Sequence, residues 1–445
     1  MTEDKKTRSN DIVHRDPLER DIEAALSPGR FIGWRDGASF FAALSSVLAK
    51  IRETAMTDPA RAVSLLETLF ACCNEKAEEV DDSDGELGRF VEDLVCEWIT
   101  TTQATAGDRA SMVGRLLAWI DDDPYGFCSH LDRRAVDVLD NRGLQVFEER
   151  IRSRFEDALS SHEESPEPSY LARSSGDVLK AICARRGDLD GYLALCQRAG
   201  TTPADCDALA VLSERRNDLS LALAWIEQGI DLQESQYWNH GSASGLSKRR
   251  RDLLVRLGRG TEALDDAWSV FQRSPSPYTY EDLMRFVEEA DRSQWHVRAM
   301  DAAAERDSGS FIALCVETNE TQRLAERIRT MSDSELESLS HFTTEPAAAR
   351  LESAHSDLAA RVHTALGVRI VEAGKSRYYD AALSHFDAAK RCYEQAGRSS
   401  EWESLVRRVR EKHRRKSGFM PGFERIVSGK RVPLFVDSAR ARWLR

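Results

Sequence analysis

The stretch from Leu253 to Pro275, LLVRLGRGTEALDDAWSVFQRSP, does most to limit what this chain can become. Two helical stretches meet at Gly258-Arg259-Gly260. Ala263, Ala267 and Val270 fall at i, i+4 and i+7, so they share one helical face. Pro275 stops the second helix. Small residues on a face let a second helix approach closely. A two-helix unit cannot bury such a face alone and needs neighbours to stack on. The segment therefore predicts an architecture, an array of helical hairpins, and leaves the chemistry open.

Cognates of this unit occur along the chain. Ala62, Leu66 and Leu69 repeat the spacing, as do Ala222, Ile226 and Gly229, with Asn217-Asp218 at the turn of their hairpin. Ala382, Phe386 and Ala389 repeat it near the end. Small, bulky and small residues at these offsets, with a closing proline, resemble tetratricopeptide units. The registration drifts, and the last unit carries extra residues in its turn. Charged residues at 31% and apolar residues at 41%, with few β-branched runs, favour helix and supply a core. The expected fold is all-α: an α-solenoid of stacked antiparallel helical hairpins in degenerate tetratricopeptide-like repeats. Ser160 to Tyr170, SSHEESPEPSY, is rich in Ser, Pro and Glu and reads as a linker. The expected division is a disordered tail over 1–20, an N-terminal helical domain over 21–160 and a linker over 161–171. Tetratricopeptide-like repeats over 172–427 and a C-terminal tail over 428–445 complete it.

A net charge of −13 disfavours sequence-independent binding to nucleic acid or anionic lipid. The N-terminus MTEDKKTRSNDIVHRDPLERD has no apolar core of a signal peptide. The longest apolar run, Phe40 to Ala49, is too short to span a bilayer. Nine cysteines, odd in number and irregular in spacing, read as reduced, mostly buried thiols of a cytoplasmic protein.

Four motifs carry a second likeness: FIGWRD (Phe31 to Asp36), EEVDDSDGELG (Glu78 to Gly88), AVDVLDNRGLQVFEERI (Ala135 to Ile151) and KHRRKSGFMPGF (Lys412 to Phe423). In this order they resemble a bacterial family of unknown function made of long helical proteins. The same region forms the C-terminal part of bacterial SWIM zinc-finger proteins. The resemblance runs from about residue 21 to 427. The SWIM zinc module needs Cys-x-Cys followed by Cys-x-His. This chain has Cys128-Ser129-His130 but only adjacent Cys72-Cys73 in place of Cys-x-Cys. Adjacent helical cysteines do not easily reach one tetrahedral ion together. The zinc module is absent from this reading, and its DNA- or protein-binding role does not carry over.

The motif VDDSDG partly matches a calcium loop. With Gly85 at position 6, Asp82 and Asp84 fit, but Val80 and Val91 stand where position 1 and the bidentate Glu belong. The simpler reading is helix capping, with Ser83 and Glu86 as a capping box and Asp84 assisting. A third reading pairs Asp81 or Asp82 with Arg35. It makes Trp34, Arg35, Asp81, Asp82 and Asp84 a tie between hairpins or part of a partner-binding patch. Gly374-Lys375-Ser376 mimics the end of a phosphate loop, but the first glycine of that pattern falls on Arg369, so a turn is expected. HGSASG (His240 to Gly245) lacks the serine of a nucleophile elbow and reads as a loop. His355 and His363 are too far apart for one metal. Lys248 to Arg251 forms one basic cluster; Lys412, Arg414, Arg415 and Lys416 form another, beside Phe419, Met420 and Phe423. The second could touch a nucleic-acid backbone. Basic groups near a helix C-terminus also suit its dipole. Trp98, Trp119, Trp225, Trp268 and Trp402 read as core residues.

These residues assign no catalytic, cofactor-binding or metal site and no cofactor. The expectation is a non-enzymatic helical-repeat scaffold with a protein partner and no membrane. The alternative is a nucleic-acid-associated accessory protein, suggested by the SWIM kinship and the basic clusters.

Overall fold

The computed structural model describes residues 17–26, 29, 31–161, 169–235 and 243–429. They form twenty-three α-helices. The only extended pairing among the described residues is an isolated parallel bridge between Ile32 and Val80. The chain is all-α, built of antiparallel helical hairpins stacked along the sequence.

Capping chemistry sets where helices begin. Asp58 accepts from the N–H of Arg61 at 3.0 Å and Pro59 opens that helix. Thr202 and Asp205 form a reciprocal capping box around Pro203, and Ser276 and Thr279 do the same around Pro277. Asn217 turns the chain at φ 61°, and Asp218 accepts from the N–H of Leu221 at 2.9 Å. The expected turn at Asn217-Asp218 is therefore where the second helix starts.

The chain divides into two compact units between Arg249 and Arg250. This differs from the expected linker over 161–171. The helices on either side of residue 160 share one core. Phe155, Ala172, Val178 and Ala199 are all buried in it. Arg185 reaches back to the carbonyls of Val136 and Leu139, and Arg198 grips Glu156 with two bonds of 2.8 and 2.6 Å. Residues 162–168 lie outside the described residues, and the next helix has already begun at Tyr170. The expected tail over 1–20 overlaps a helix, Pro17–Leu26; residues 1–16 lie outside the described residues. At the other end the last helix is Met420–Val427, and residues 430–445 lie outside. Of the HGSASG segment, 240–242 lie outside, and Ala243 already belongs to the helix Ala243–Arg256.

The first unit contains a buried polar knot. Lys180, 3% exposed, places its ammonium 2.9 Å from Asp205. Asp205 also accepts from Tyr192 Oη at 3.0 Å and from the N–H and hydroxyl of Thr202, both at 2.8 Å. Burial alone would raise the Asp205 carboxyl, but Lys180 and Thr202 outweigh it and hold the group below the usual carboxylate range.

In the second unit the helix Gly260–Arg273 follows Gly258, whose φ of 77° makes the left-handed turn. The helix ends before Ser274 and Pro275. Ala263 and Ala267 are buried as expected, but Val270 is only half-buried. The packed arc is rotated towards Trp268 and Phe271, whose rings stack 5.8 Å apart. The other triplets are fully interior: Ala62, Leu66 and Leu69; Ala222, Ile226 and Gly229; Ala382, Phe386 and Ala389. The helices Ser356–Glu372 and Tyr379–Gln395 pack closely at Gly367, where a Cβ would lie 2.9 Å from the Phe386 ring.

Gly374, at φ 71°, and the short 3₁₀ turn Ser376–Tyr378 form the connection between those two helices, as the turn reading anticipated. Among the described residues no helix is long and apolar enough to cross a membrane.

Candidate interaction surfaces

The motifs FIGWRD and VDDSDG lie side by side. The N–H of Ile32 donates to the Glu79 carbonyl at 2.8 Å, and the N–H of Asp81 donates to the Ile32 carbonyl at 2.8 Å. This short ladder brings the start of the helix Trp34–Ala55 to the loop that opens the helix Glu86–Ala104. Trp34 Nε1 donates to Asp84 Oδ2 at 3.1 Å, yet the residue is 66% exposed. Phe31 beside it is 60% exposed. Asp81 accepts from the hydroxyl and N–H of Ser83 and from the N–H of Trp34, which together hold its carboxyl below the usual range.

Each aspartate of the loop has its own task. Asp82 accepts from the N–H groups of Leu87 at 2.7 Å and Gly88 at 3.3 Å, so it satisfies the orphan donors of the helix start. The expected Ser83–Glu86 capping box does not form, because the Ser83 hydroxyl turns to Asp81. The expected pairing of Arg35 with Asp81 or Asp82 does not form either: Asp81 accepts from Ser83 and the Trp34 N–H, both oxygens of Asp82 face the helix backbone, and Arg35 is exposed. The tie between the hairpins runs instead through the backbone ladder and the Trp34–Asp84 bond. Tyr125, 42% exposed, approaches Glu78 at 3.5 Å. The result is an exposed Trp34 ring tied to an acidic loop, with Arg89 donating to the Asp84 carbonyl at 3.2 Å beside it.

The two basic clusters are largely spoken for. Arg249 sits on Asp207 at 2.7 Å and Glu214 at 2.5 Å. Arg250 sits on Asp266 at 2.8 Å. Arg251, 3% exposed, is clamped between Asp266 at 2.8 Å and Asp282 at 2.5 Å. In the second cluster Lys412 pairs with Glu372, and Lys416 donates to the Val371 carbonyl at 2.6 Å. Arg414 and Arg415 are exposed. Phe419 and Phe423 are fully buried against Phe386 and close the core.

The second unit also holds a groove of about 710 Å³ that no sequence motif announced. Arg361, Arg398 and Arg408 line it together with Asp333, Asp357 and Glu401. Arg361 bonds Asp333 at 2.9 Å, and Arg398 bonds Glu401 at 3.0 Å. Asp357 and Arg361 share the helix Ser356–Glu372, and Arg398, Glu401 and Arg408 lie at or in Ser399–His413, but Asp333 comes from a third helix, so no local spacing joins the three segments.

The profile of one protein family matches residues 21–421. The chain belongs to DUF6880, a family of unknown function. The DUF6880 match takes in the aromatic–acid surface, the groove and both basic clusters. No curated protein matches the chain. Solved structures are similar to it, two of them as follows. One is the structure of Naa15/Naa10 bound to HypK-THB, at 12% identity over 83% of this chain and 64% of that chain, with a TM-score of 0.34. This DUF6880 chain thus spans about two thirds of the length of that structure. The other is a circular tandem repeat protein with novel repeat topology and enhanced subunit contact surfaces, at 14% identity over 92% and 96%, with a TM-score of 0.16.

Proposed function

We propose that this chain is a non-catalytic interaction scaffold and that it docks a protein partner on the Phe31–Trp34 surface. The observation that carries this reading is an exposed tryptophan fixed in place. Trp34 leaves two thirds of its surface to solvent while its indole N–H is held by Asp84. Tryptophan dominates interface hot spots, where truncation costs about 2 kcal/mol or more. A ring already immobilised loses less entropy on binding. Asp81, Asp84 and Glu78 at its edge favour a partner segment that combines an apolar side chain with basic groups.

The test places a photo-crosslinking amino acid at position 31 of the full chain in its native host, with position 342 as an exposed aromatic control. A protein captured from 31 and not from 342 is then purified and its binding measured. Trp34→Ala is expected to weaken that binding at least tenfold with helix content unchanged. Binding that is indifferent to Trp34→Ala, or capture that is equal from both positions, overturns the reading.

The nucleic-acid alternative rests on the SWIM kinship and on the basic clusters. Arg249, Arg250 and Arg251 already face carboxylates, which removes most of its electrostatic support. A mobility shift at low salt that disappears on replacing Arg414 and Arg415 would favour it over the scaffold reading.

A further inference from the structure

Three side chains of the second unit converge from separate places in the sequence. Glu352 follows the helix His341–Leu351, His363 lies within Ser356–Glu372, and Cys392 lies within Tyr379–Gln395. A carboxylate oxygen, a ring nitrogen and the Sγ of these residues all lie within 4.8 Å of one another. His363 Nε2 is 3.0 Å from Glu352 Oε1. Its other nitrogen, Nδ1, is 3.3 Å from Nδ1 of His385. His363 and Cys392 are buried, while the Glu352 side chain is 44% exposed.

We propose that Glu352, His363 and Cys392 form a binding site for a divalent transition-metal ion of the zinc class, with His385 orienting the imidazole. The donor set is one thiolate, one imidazole and one carboxylate, which suits a borderline-soft ion and not calcium or magnesium. At ordinary zinc bond lengths, tetrahedral ligand atoms stand about 3.4–3.8 Å apart. The nitrogen–oxygen pair is already inside that spacing, and rotation of side chains by about 1 Å brings the sulfur in. Three protein ligands leave a fourth position, which water fills from the side that Glu352 opens to solvent.

The His363–His385 contact has a specific use. Without metal, His363 donates from Nε2 to Glu352, and Nδ1 accepts from His385. With metal on Nε2, the Nε2 proton leaves to solvent, His363 carries its proton on Nδ1 and donates to Nδ1 of His385, which gives up its Nδ1 proton and takes one from solvent on its own Nε2. The contact survives either tautomer, so the ring is held ready for coordination. The close approach at Gly367, one turn after His363, keeps the two helices at a fixed separation. Burial raises the Cys392 thiol, so metal binding near neutral pH displaces its proton to solvent.

The experiment uses the full chain, stripped with a chelator and titrated with Co²⁺ alone, with Zn²⁺ then added as competitor. The expected result is one Co²⁺ per chain, a thiolate-to-cobalt charge-transfer band, and displacement by Zn²⁺. Cys392→Ser should abolish that band. Glu352→Gln should weaken binding at least tenfold. His385→Ala should keep the band while weakening affinity by about tenfold or more, as loss of an orienting partner does. No band in the parent chain overturns the proposal, as does a band that persists in Cys392→Ser. If Cys392→Ser fails to fold, Glu352→Gln decides the matter, since the half-exposed Glu352 is not needed for the core: unchanged affinity overturns the site.

Discussion

At the scale of single residues, the interior tolerates little change where helices nearly touch. A methyl group at Gly367 would meet the Phe386 ring. Helix propensity favours alanine by about 1 kcal/mol, while overpacking costs about 1–3 kcal/mol. Gly367→Ala should therefore lower the urea midpoint of the second unit. Gly114, inside the helix Arg109–Asp121, has no atom within 4 Å of an added Cβ. Gly114→Ala should raise the midpoint of the first unit by the equivalent of about 0.5–1 kcal/mol. Neither sign could be read from sequence, because both glycines sit mid-helix and only the facing residue distinguishes them. The buried pair is a second case. Asp205→Asn leaves the Lys180 ammonium with only the half-exposed Asp177, 3.5 Å away, as counter-charge and should cost up to about 3–5 kcal/mol at pH 7. The depressed Asp205 carboxyl contributes stability above its unfolded pKa of about 3.9 and loses it as pH falls through the lower folded value. The parent should lose that increment below about pH 4 in acid-dependent urea unfolding, and the variant should lack it.

At the scale of elements, local rules were legible and long-range partners were not. Asn217 and Gly258 turn the chain where their residue types demand it. The interior triplets at 62, 222 and 382 follow from period alone. The loop VDDSDG caps its helix as its composition suggests, but through Asp82 and not Ser83, which bonds Asp81 in a loop that bends at Gly85 with φ 66°. Asp82→Ala should release the N–H groups of Leu87 and Gly88 and cost about 1 kcal/mol. Hydrogen exchange should accelerate at the start of Glu86–Ala104 and stay unchanged at its end. Asp84→Ala should leave that exchange pattern alone, since its side chain serves Trp34.

At the scale of the whole molecule, the basic runs and the cysteines show how sequence adjacency misleads. Lys248 to Arg251 reads as a surface patch, yet its three arginines meet acids of other helices: Arg249 those of Pro203–Arg215, Arg250 and Arg251 the shared Asp266 of Gly260–Arg273, and Arg251 also Asp282 of Pro277–Met284. The nine cysteines behave as the composition suggested: none is disulfide-bonded, and seven are buried. Burial pushes the thiols of Cys73, Cys196 and Cys315 up to about 12. Alkylation of the native chain should therefore reach half-buried Cys72 and Cys96 first, and peptide mass mapping should find the others modified only on unfolding. Glu352, His363 and Cys392 were invisible for the reason that hid the arginine-lined groove. His363 and Cys392 arrive on two helices and Glu352 at the end of a third, and no spacing rule connects them.

The bridge between Ile32 and Val80 encloses a loop of about fifty residues that contains the whole hairpin Trp34–Ala55 and Pro59–Lys76. Closing a flexible loop of that length costs roughly 3 kcal/mol beyond a constant, and two backbone hydrogen bonds do not offset it. Only a hairpin that has already packed delivers the two ends to each other. Trp34 meets Asp84 at the mouth of that loop, so the surface exists only after the hairpin has folded. Any molecule that recognises it reads whether that first hairpin has packed.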